Sequence, residues 1–556
     1  MLICEIRLRK RGRNRGARLE QASPAPSTAR PAPRPGALLV LTDALRRPLA
    51  WLDARLNRLY GWKHNPLYHS GVLAASLIAV VLVTGLYLLL FYRIGAPYQS
   101  VARITNDLPL GRFVRSVHRY ASDAAILAAV VHMVRIWLQR RTWGPRGIAW
   151  VSGFLLLGSI WFLGWTGYVM IWDVPAEVVA REGARWLDAL PLFSEPISRA
   201  FDGERAMPNA FFFLNLFAHV ALPIGLGLLF WIHVARVARP NLVPPKRLLW
   251  TALGLIAAAS VIWPVGMEAP ADLFRRPGAA RFDLFFNFFL PFTRPLAPWL
   301  VWVGGGALLA LVLLVPVFMA PKSAERPASS VVDERSCTGC QQCYIDCPYE
   351  AIAMVDRADG RPYLVARVNA DLCTSCGICA GSCAPMGVGP PGRAGRDQLA
   401  SVRLFHAAHP IGPSDVVVVT CRNAGGIGVL DVLDGSPVYT VSCAGNLHTS
   451  VVEYLVRSGA GGVLMVSCPP RDCWNREGPV WLEQRLFHDR EAELQQRVDR
   501  RRVALVYAGE GERALVSAAL ASFRVAVRGL ETANAERLGG LERECEPPVS
   551  VAQEPR

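Results

Sequence analysis

The chain has 556 residues, of which 52% are hydrophobic, and its mean hydropathy is +0.26. Length and hydropathy together exclude a single soluble core and point to several domains, some of them in a membrane. The net charge of +16 is a poor argument for nucleic acid, because much of the excess lies in the first 64 residues and in short loops beside apolar runs.

Residues 1–48, with "RLRKRGRNRGARLEQASPAPSTARPAPRPG", are basic and rich in Pro, Ala and Arg. They are expected to form a disordered tail suited to anionic lipid. No short apolar region with a cleavage site starts the chain, so no cleaved signal peptide is expected.

Apolar runs long enough to cross a bilayer follow near 70–92, 118–138, 149–171, 211–235, 248–266 and 297–320, giving about six spans. The segment 267–296, with "FDLFFNFFLPF", is too broken for a span and is expected to lie along the interface. Arg135, Arg140, Arg141 and Arg146 follow the second run, and Arg236, Arg239, Lys246 and Arg247 follow the fourth. Basic flanks favour the cytoplasmic side. This places both termini, and everything after the last run, on the cytoplasmic face of the inner membrane.

Two of the runs carry paired histidines. "VHRYASDAAILAAVVHMVRIW" holds His118 and His132, and "FAHVALPIGLGLLFWIHVARVARP" holds His219 and His233. Each pair is fourteen residues apart. On a helix that spacing returns to within roughly 40° of one face, ~21 Å further along. Ionisable groups within the hydrocarbon are costly and usually mark function. Neutral imidazole is a common axial ligand of haem. Two other runs carry glycines at the same spacing, Gly71 with Gly85 and Gly153 with Gly167. A missing side chain lets a ligand approach the backbone. The alternative is that these glycines serve only helix packing.

The stretches "RSVHRYASDAAILAAVVHMVRIWL" and "WVSGFLLLGSIWFLGWTGYVMIWD" resemble the N-terminal half of cytochrome b, closest to the b6 type, over residues 55–236. The resemblance implies a four-helix bundle with two b-type haems. His118 and His219 would ligate the outer haem, and His132 and His233 the haem nearer the cytoplasm. Arg115 matches a family arginine near a haem propionate. The family's Pro-Glu-Trp-Tyr motif is missing, and "FDLFFNFF" stands in the corresponding region.

Twelve of the fourteen cysteines fall between 337 and 473. Cys4 and Cys545 are given no role. "CTGCQQCYIDCP" and "CTSCGICAGSCAP" each have the spacing of a bacterial ferredoxin, in which the fourth cysteine of each run ligates the other cluster. One [4Fe–4S] cluster is expected on Cys337, Cys340, Cys343 and Cys383, and the other on Cys373, Cys376, Cys379 and Cys347.

From about residue 411 strands and helices alternate, and three strands end near Cys421, Cys443 and Cys468, with Cys473 in the loop "CPPRDC". Ligands of an α/β sheet gather beyond such strand ends. Four thiolates there suit a [2Fe–2S] cluster; zinc, or buried structural cysteines, are the alternatives. The stretch "VSCAGNLHTSVVEYLVRSGAGGVLMVSCPPRDCWNREG" resembles the iron–sulfur delta subunit of methyl-viologen-reducing hydrogenase, over roughly 411–535. That implies a [2Fe–2S] cluster and a flavin-bearing, heterodisulfide-reductase-like partner.

The expected architecture is multidomain. A tail (1–48) precedes an α-helical transmembrane bundle (49–321). A small α+β ferredoxin domain (322–395), an α/β flavodoxin-like domain (396–540) and a second tail (541–556) follow. The function expected is electron transfer between a cytoplasmic flavoprotein or heterodisulfide-reductase-like subunit and the quinone pool. The alternative is a conduit or anchor without its own quinone site. Lys63, His64, Asn65, His69 and Arg236 are the candidate quinone-side groups. No nucleic-acid partner is expected, and a homodimer is left open.

Overall fold

The computed structural model describes residues 37–191, 195–201, 206–235, 239–275, 283–321 and 326–544. Residues Thr42–Arg556 form one compact unit, which contains every side-chain contact described below.

The apolar runs become helices. They are α1 (Ala37–Tyr60), α2 (Ser70–Leu89), α3 (Pro97–Asn106), α4 (Gly111–Leu138), α5 (Gly147–Val169), α6 (Val174–Leu187), α7 (Asn209–Ala235), α8 (Lys246–Ile262), the single turn α9 (Leu290–Thr293) and α10 (Pro298–Met319). Among the described residues five stretches are long and apolar enough to cross a membrane: Pro66–Leu89, Gly111–Leu138, Gly144–Val169, Asn209–Ala235 and Pro298–Met319. The bundle is apolar outward. On α7, Phe217, Ile224, Leu228 and Trp231 are all more than half exposed, as a lipid-facing surface requires.

The run expected near 248–266 becomes α8, which has only 17 residues. A helix of that length rises about 26 Å, slightly less than a bilayer's apolar thickness. Asn241, before α8, lies against Arg471 of the C-terminal region. The carbonyls of Val265 and Gly266, after it, accept from Arg115 near the start of α4 at 3.0 Å each.

Helix α1 begins at Ala37, inside the segment that composition assigns to a tail. The reason is packing. Arg46 pairs with Glu510 at 2.5 Å, and Asn57 donates to Glu512 at 3.0 Å. Residues 1–36 and 545–556, with Cys4 and Cys545, lie outside the described residues.

After α10 the pattern shifts. The ferredoxin-like part is β1 (Val331–Val332), α11 (Gln342–Ile345), β2 (Ile352–Val355), β3 (Val365–Val368), α12 (Ile378–Gly381) and β4 (Val388–Gly389). Strands β2 and β3 form a hairpin between the two cysteine runs, and β1 pairs β4 antiparallel. Helix α13 (Gly395–Ala408) leads into β5 (Val416–Cys421), β6 (Val432–Leu433), β7 (Ser436–Val441), α14 (Thr449–Arg457), β8 (Gly462–Ser467), α15 (Gly478–Phe487), β9 (Val503–Tyr507) and α16 (Arg513–Glu544). The sheet order is β6-β7-β5-β8-β9, with β7, β5, β8 and β9 parallel. Strands β5 and β8 are buried throughout, which matches their continuous Val-rich sequences. The winding order reverses between β5 and β8, with β7 on one side of β5 and β8 and β9 on the other. In such sheets the carboxyl ends at the reversal form a crevice.

The two iron–sulfur regions are tightly fitted to each other. A side chain at Gly445 would place Cβ 2.4 Å from the Gly478 backbone and 2.9 Å from Ile378 of α12. Backbone cannot yield as a flexible side chain can. Gly445→Ala should therefore destabilise the chain by about 1–3 kcal/mol. Gly529→Ala, in open space on α16, should be neutral or stabilising by up to about 1 kcal/mol. Urea unfolding of the purified variants measures both.

Candidate redox centres

The histidine helices pack against the glycine helices. A Cβ on Gly85 would lie 3.2 Å from the His118 ring, and one on Gly71 would lie 2.9 Å from His132. The same holds for Gly167 against His219 at 3.1 Å and Gly153 against His233 at 3.0 Å. Helices α2 and α4 are therefore antiparallel partners, as are α5 and α7. Each imidazole lies flush on a backbone that offers no side chain.

A feature missed in the sequence reading fixes the rings. A hydroxyl residue precedes each glycine: Ser70, Thr84, Ser152 and Thr166. Thr84 Oγ1 lies 3.0 Å from His118 Nδ1, Thr166 Oγ1 3.0 Å from His219 Nδ1, and Ser152 Oγ 3.1 Å from His233 Nδ1. Each hydroxyl can donate to a carbonyl four residues back in its own helix. Its oxygen then accepts from Nδ1–H, which leaves the Nε2 lone pair free for a metal. Ser70 holds the equivalent place beside Gly71, and its hydroxyl donates to the Leu67 carbonyl. The signal available in sequence was the Ser/Thr-Gly dipeptide recurring with the fourteen-residue spacing.

The His118 and His219 ring centroids are 6.5 Å apart. Two metal–imidazole bonds of about 2 Å each, plus the ring radii, fill that gap. The donor set fits a bis-histidine haem. Arg115 donates to Thr105 Oγ1 at 3.1 Å as well as to the Val265 and Gly266 carbonyls. Of the quinone-side candidates, Asn65 and His69 are buried. Asn65 donates to Asn57 at 2.8 Å, and His69 Nε2 lies 3.0 Å from the Lys63 carbonyl. Lys63 is exposed and His64 half-buried. Arg236 lies outside the described residues.

A second missed feature is a polar cluster beside the His118/His219 pair. Arg119 pairs with Asp123 at 3.0 Å and with Asp283. It also donates to Tyr168 at 2.9 Å, and Tyr168 donates to Asp283 at 2.5 Å. Asp283 belongs to the "FDLFFNFF" segment.

The dicluster cysteines separate into two cavities. Cys337, Cys340, Cys343 and Cys383 line one, and Cys347, Cys373, Cys376 and Cys379 line the other. The fourth cysteine of each run thus joins the other run's cavity. Backbone amides donate to both crossing sulfurs, Ala351 to Cys347 at 3.3 Å and Gly387 to Cys383 at 3.2 Å. Burial pushes the Cys379 thiol up to about 12 and the Cys343 thiol up as well. Ionised sulfur there needs compensating charge, which iron supplies when bound.

The C-terminal cysteines sit at the reversal of the large sheet. Cys421 ends β5, Cys443 follows β7 and Cys468 follows β8; all four, with Cys473, are at most 4% exposed. They fall into two pairs. Cys421 and Cys468 sulfurs are 3.7 Å apart, and Cys443 hydrogen-bonds Cys473. That bond, with those from Asn475 and the Gly445 and Asn446 amides, holds the Cys443 thiol below its usual range. Among the described residues no three His, Cys, Asp or Glu side chains converge on one ion.

Paired imidazoles inside an apolar bundle, with cysteine-lined cavities at one end, define a membrane electron-transfer protein. Comparison with known proteins agrees region by region. Residues 59–240 match the family "Cytochrome b/b6/petB", 336–387 the "4Fe-4S dicluster domain" and 421–531 the "Methyl-viologen-reducing hydrogenase, delta subunit". The chain thus joins, in one sequence, regions that match these three families. The first implies haem b and the second [4Fe–4S] clusters. The membrane part is 29% identical over 217 residues to cytochrome b of Sulfolobus acidocaldarius, covering 37% of this chain and 38% of that protein. It is 26% identical over 216 residues to the menaquinol:cytochrome c reductase cytochrome b subunit of Geobacillus thermodenitrificans, covering 35% and 96%. It is also 32% identical over 130 residues to cytochrome b6 of Heliobacterium mobile, covering 23% and 61%. A chain of a hyperthermophilic respiratory Complex III aligns at TM-score 0.37 and 19% identity over 50% of this chain and 85% of its own length, a weak likeness.

The close ring–glycine contacts generate a specific expectation. Gly153→Leu should displace His233 and lower the haem b content of purified membranes. Gly158→Leu, five residues along the same helix in open space, should leave it unchanged. Pyridine haemochrome spectra give the comparison.

Proposed function

We propose that this chain is the membrane subunit through which a cytoplasmic flavoprotein or heterodisulfide-reductase-like partner exchanges electrons with the quinone pool. His118 with His219, and His132 with His233, hold two b-type haems. The two interleaved cysteine sets hold two [4Fe–4S] clusters. Cys421, Cys443, Cys468 and Cys473 hold a [2Fe–2S] cluster. The observation that carries this reading is the repeated fit of imidazole on glycine at two depths, with cysteine sites at one end of the same bundle. Haem and clusters supply one-electron redox chemistry when bound. The protein's own groups orient them, keep water out and fix the imidazole tautomers.

A quinone also needs protons. The cluster of Arg119, Asp123, Tyr168 and Asp283 supports a quinone exchange point near the His118/His219 pair, since it offers two carboxylates and a phenol within an apolar bundle. The bonds made by Asn65 and His69 weigh against a pocket at the other end. They favour the conduit reading if the Asp283 cluster proves unused. Six crossings, with α8 as the fifth, are supported by the course of α8 from the Arg471 side to Arg115. With basic flanks they put both ends of the chain in the cytoplasm.

The test uses the purified full chain and a menaquinol analogue. Quinol should reduce the haems, and Asp283→Asn should slow that reduction at least tenfold, about 1.4 kcal/mol, while leaving the haem spectrum intact. An unchanged rate would leave the conduit reading standing. EPR should resolve two [4Fe–4S] signals and one [2Fe–2S] signal, the last lost in Cys468→Ser but kept in Cys376→Ser; zinc in its place would refute the third assignment. A reporter fused after residue 556 should behave as cytoplasmic.

A further inference from the structure

The delta-subunit-like region presents its cysteines to the membrane bundle. We infer that the loop carrying Cys468 and Cys473 faces inward, and that this four-cysteine set stands between the dicluster cysteines and the His132/His233 pair. The inference rests on the proposed function and orders its parts.

The first observation is the junction with the bundle. Asp472, next to Cys473, accepts from Arg135 at 2.6 Å and from Gln139 at 2.6 Å. The Asp472 carbonyl accepts from Arg141 at 3.2 Å, and the Trp474 carbonyl from Arg146 at 3.2 Å. Arg135 is itself fixed by two 3.0 Å bonds to Asp53 of α1. It lies three residues beyond His132, ~4.5 Å along the helix. The cysteine loop is therefore seated at the mouth of this histidine pair.

The second observation is the junction with the dicluster part. Asn446, three residues after Cys443, donates to the Gly377 carbonyl, next to Cys376, at 3.0 Å. Gly377 has φ +78°, and a Cβ there would meet Asn446 at 2.4 Å. Arg393 ties the same two segments, donating to Ser442 at 3.0 Å and to the Ser375 carbonyl at 2.8 Å. Buried Arg485 adds bonds to Ser382 and to the Gly445 carbonyl. The segments that carry Cys443 and Cys473 thus bond both neighbours.

A competing contact exists. Tyr349, two residues after Cys347, bonds Arg146 at the foot of α5. A second runs from Arg239, six residues after His233, to the Ile345 carbonyl. Arg146 is seven residues before Gly153, ~10.5 Å of rise, so both start farther along the chain from the histidine pair than Arg135, three residues from His132. Exposure gives the other end of the order. Cys337, Cys340, Cys373 and Cys376 are partly exposed, whereas the C-terminal four are buried, and the Asn446–Gly377 bond sets the Cys347 set nearer the C-terminal four than the Cys337 set. A soluble one-electron donor meets the Cys337 set first. Electrons then pass singly to the Cys347 set, the C-terminal set and the inner haem, and no bond is made or broken.

The experiment uses the full chain in detergent. In wild type, oxidised inner haem should speed relaxation of the reduced [2Fe–2S] EPR signal, and His132→Leu should abolish that enhancement. In Cys473→Ser, with both [4Fe–4S] signals and both haems retained, haem reduction after rapid mixing with dithionite should slow by an order of magnitude or more. An unchanged rate would overturn the order in favour of the Tyr349–Arg146 contact. If Cys473→Ser does not fold, the relaxation measurement decides. A [2Fe–2S] signal present without enhancement would overturn this inference alone. Its absence from wild type would overturn the underlying assignment too.

Discussion

Each of four imidazole rings lies about 3 Å from where a neighbouring helix would carry a side chain, and glycine removes it. That contact sets how closely α2 approaches α4 and α5 approaches α7. It fixes the depth of each ring, and the hydroxyl one residue before three of the glycines fixes which nitrogen is free. A larger residue at any of the four positions would push a ring off its axis. The spacing of fourteen residues then becomes a structural constraint on the whole bundle, because both glycines of a helix must face both histidines of its partner.

The iron–sulfur regions are built on a different constraint, the burial of sulfur. Backbone amides reach the crossing cysteines, and the carboxyl ends of three parallel strands deliver the C-terminal set. In the dicluster region burial pushes the Cys343 and Cys379 thiols up, so holding them ionised takes a positive partner. The bundle and these regions meet through charge: Arg135, Arg141, Arg146 and Arg239 on the bundle side face Asp472 and the carbonyls of Asp472, Trp474 and Ile345.

What was legible in the sequence was local. Helix period, glycine spacing and cysteine spacing repeat within a few turns, so the four histidines and the eight dicluster cysteines could be grouped before any fold was known. The hydroxyls are equally local, but Ser and Thr are common in membrane helices and alone carry no signal. The Arg135–Asp472 bond joins residues 337 apart and leaves no pattern; the arginine read only as a basic flank. The same holds for Asp283, which sequence alone placed in an aromatic interfacial stretch and which the fold brings to Arg119 and Tyr168. The start of α1 was hidden for a related reason, since its partners lie near residue 510.

The Arg135–Asp53–Asp472 junction has a consequence for how this assembly behaves in solution. Separate redox proteins find one another by diffusion, and their encounters weaken with dilution and with salt. Here the two sides belong to one chain, so their meeting is unimolecular. Arg135 is only 6% exposed, so mobile ions screen it poorly. The contact between the bundle and the cysteine loop is thereby insulated from ionic strength and protein concentration.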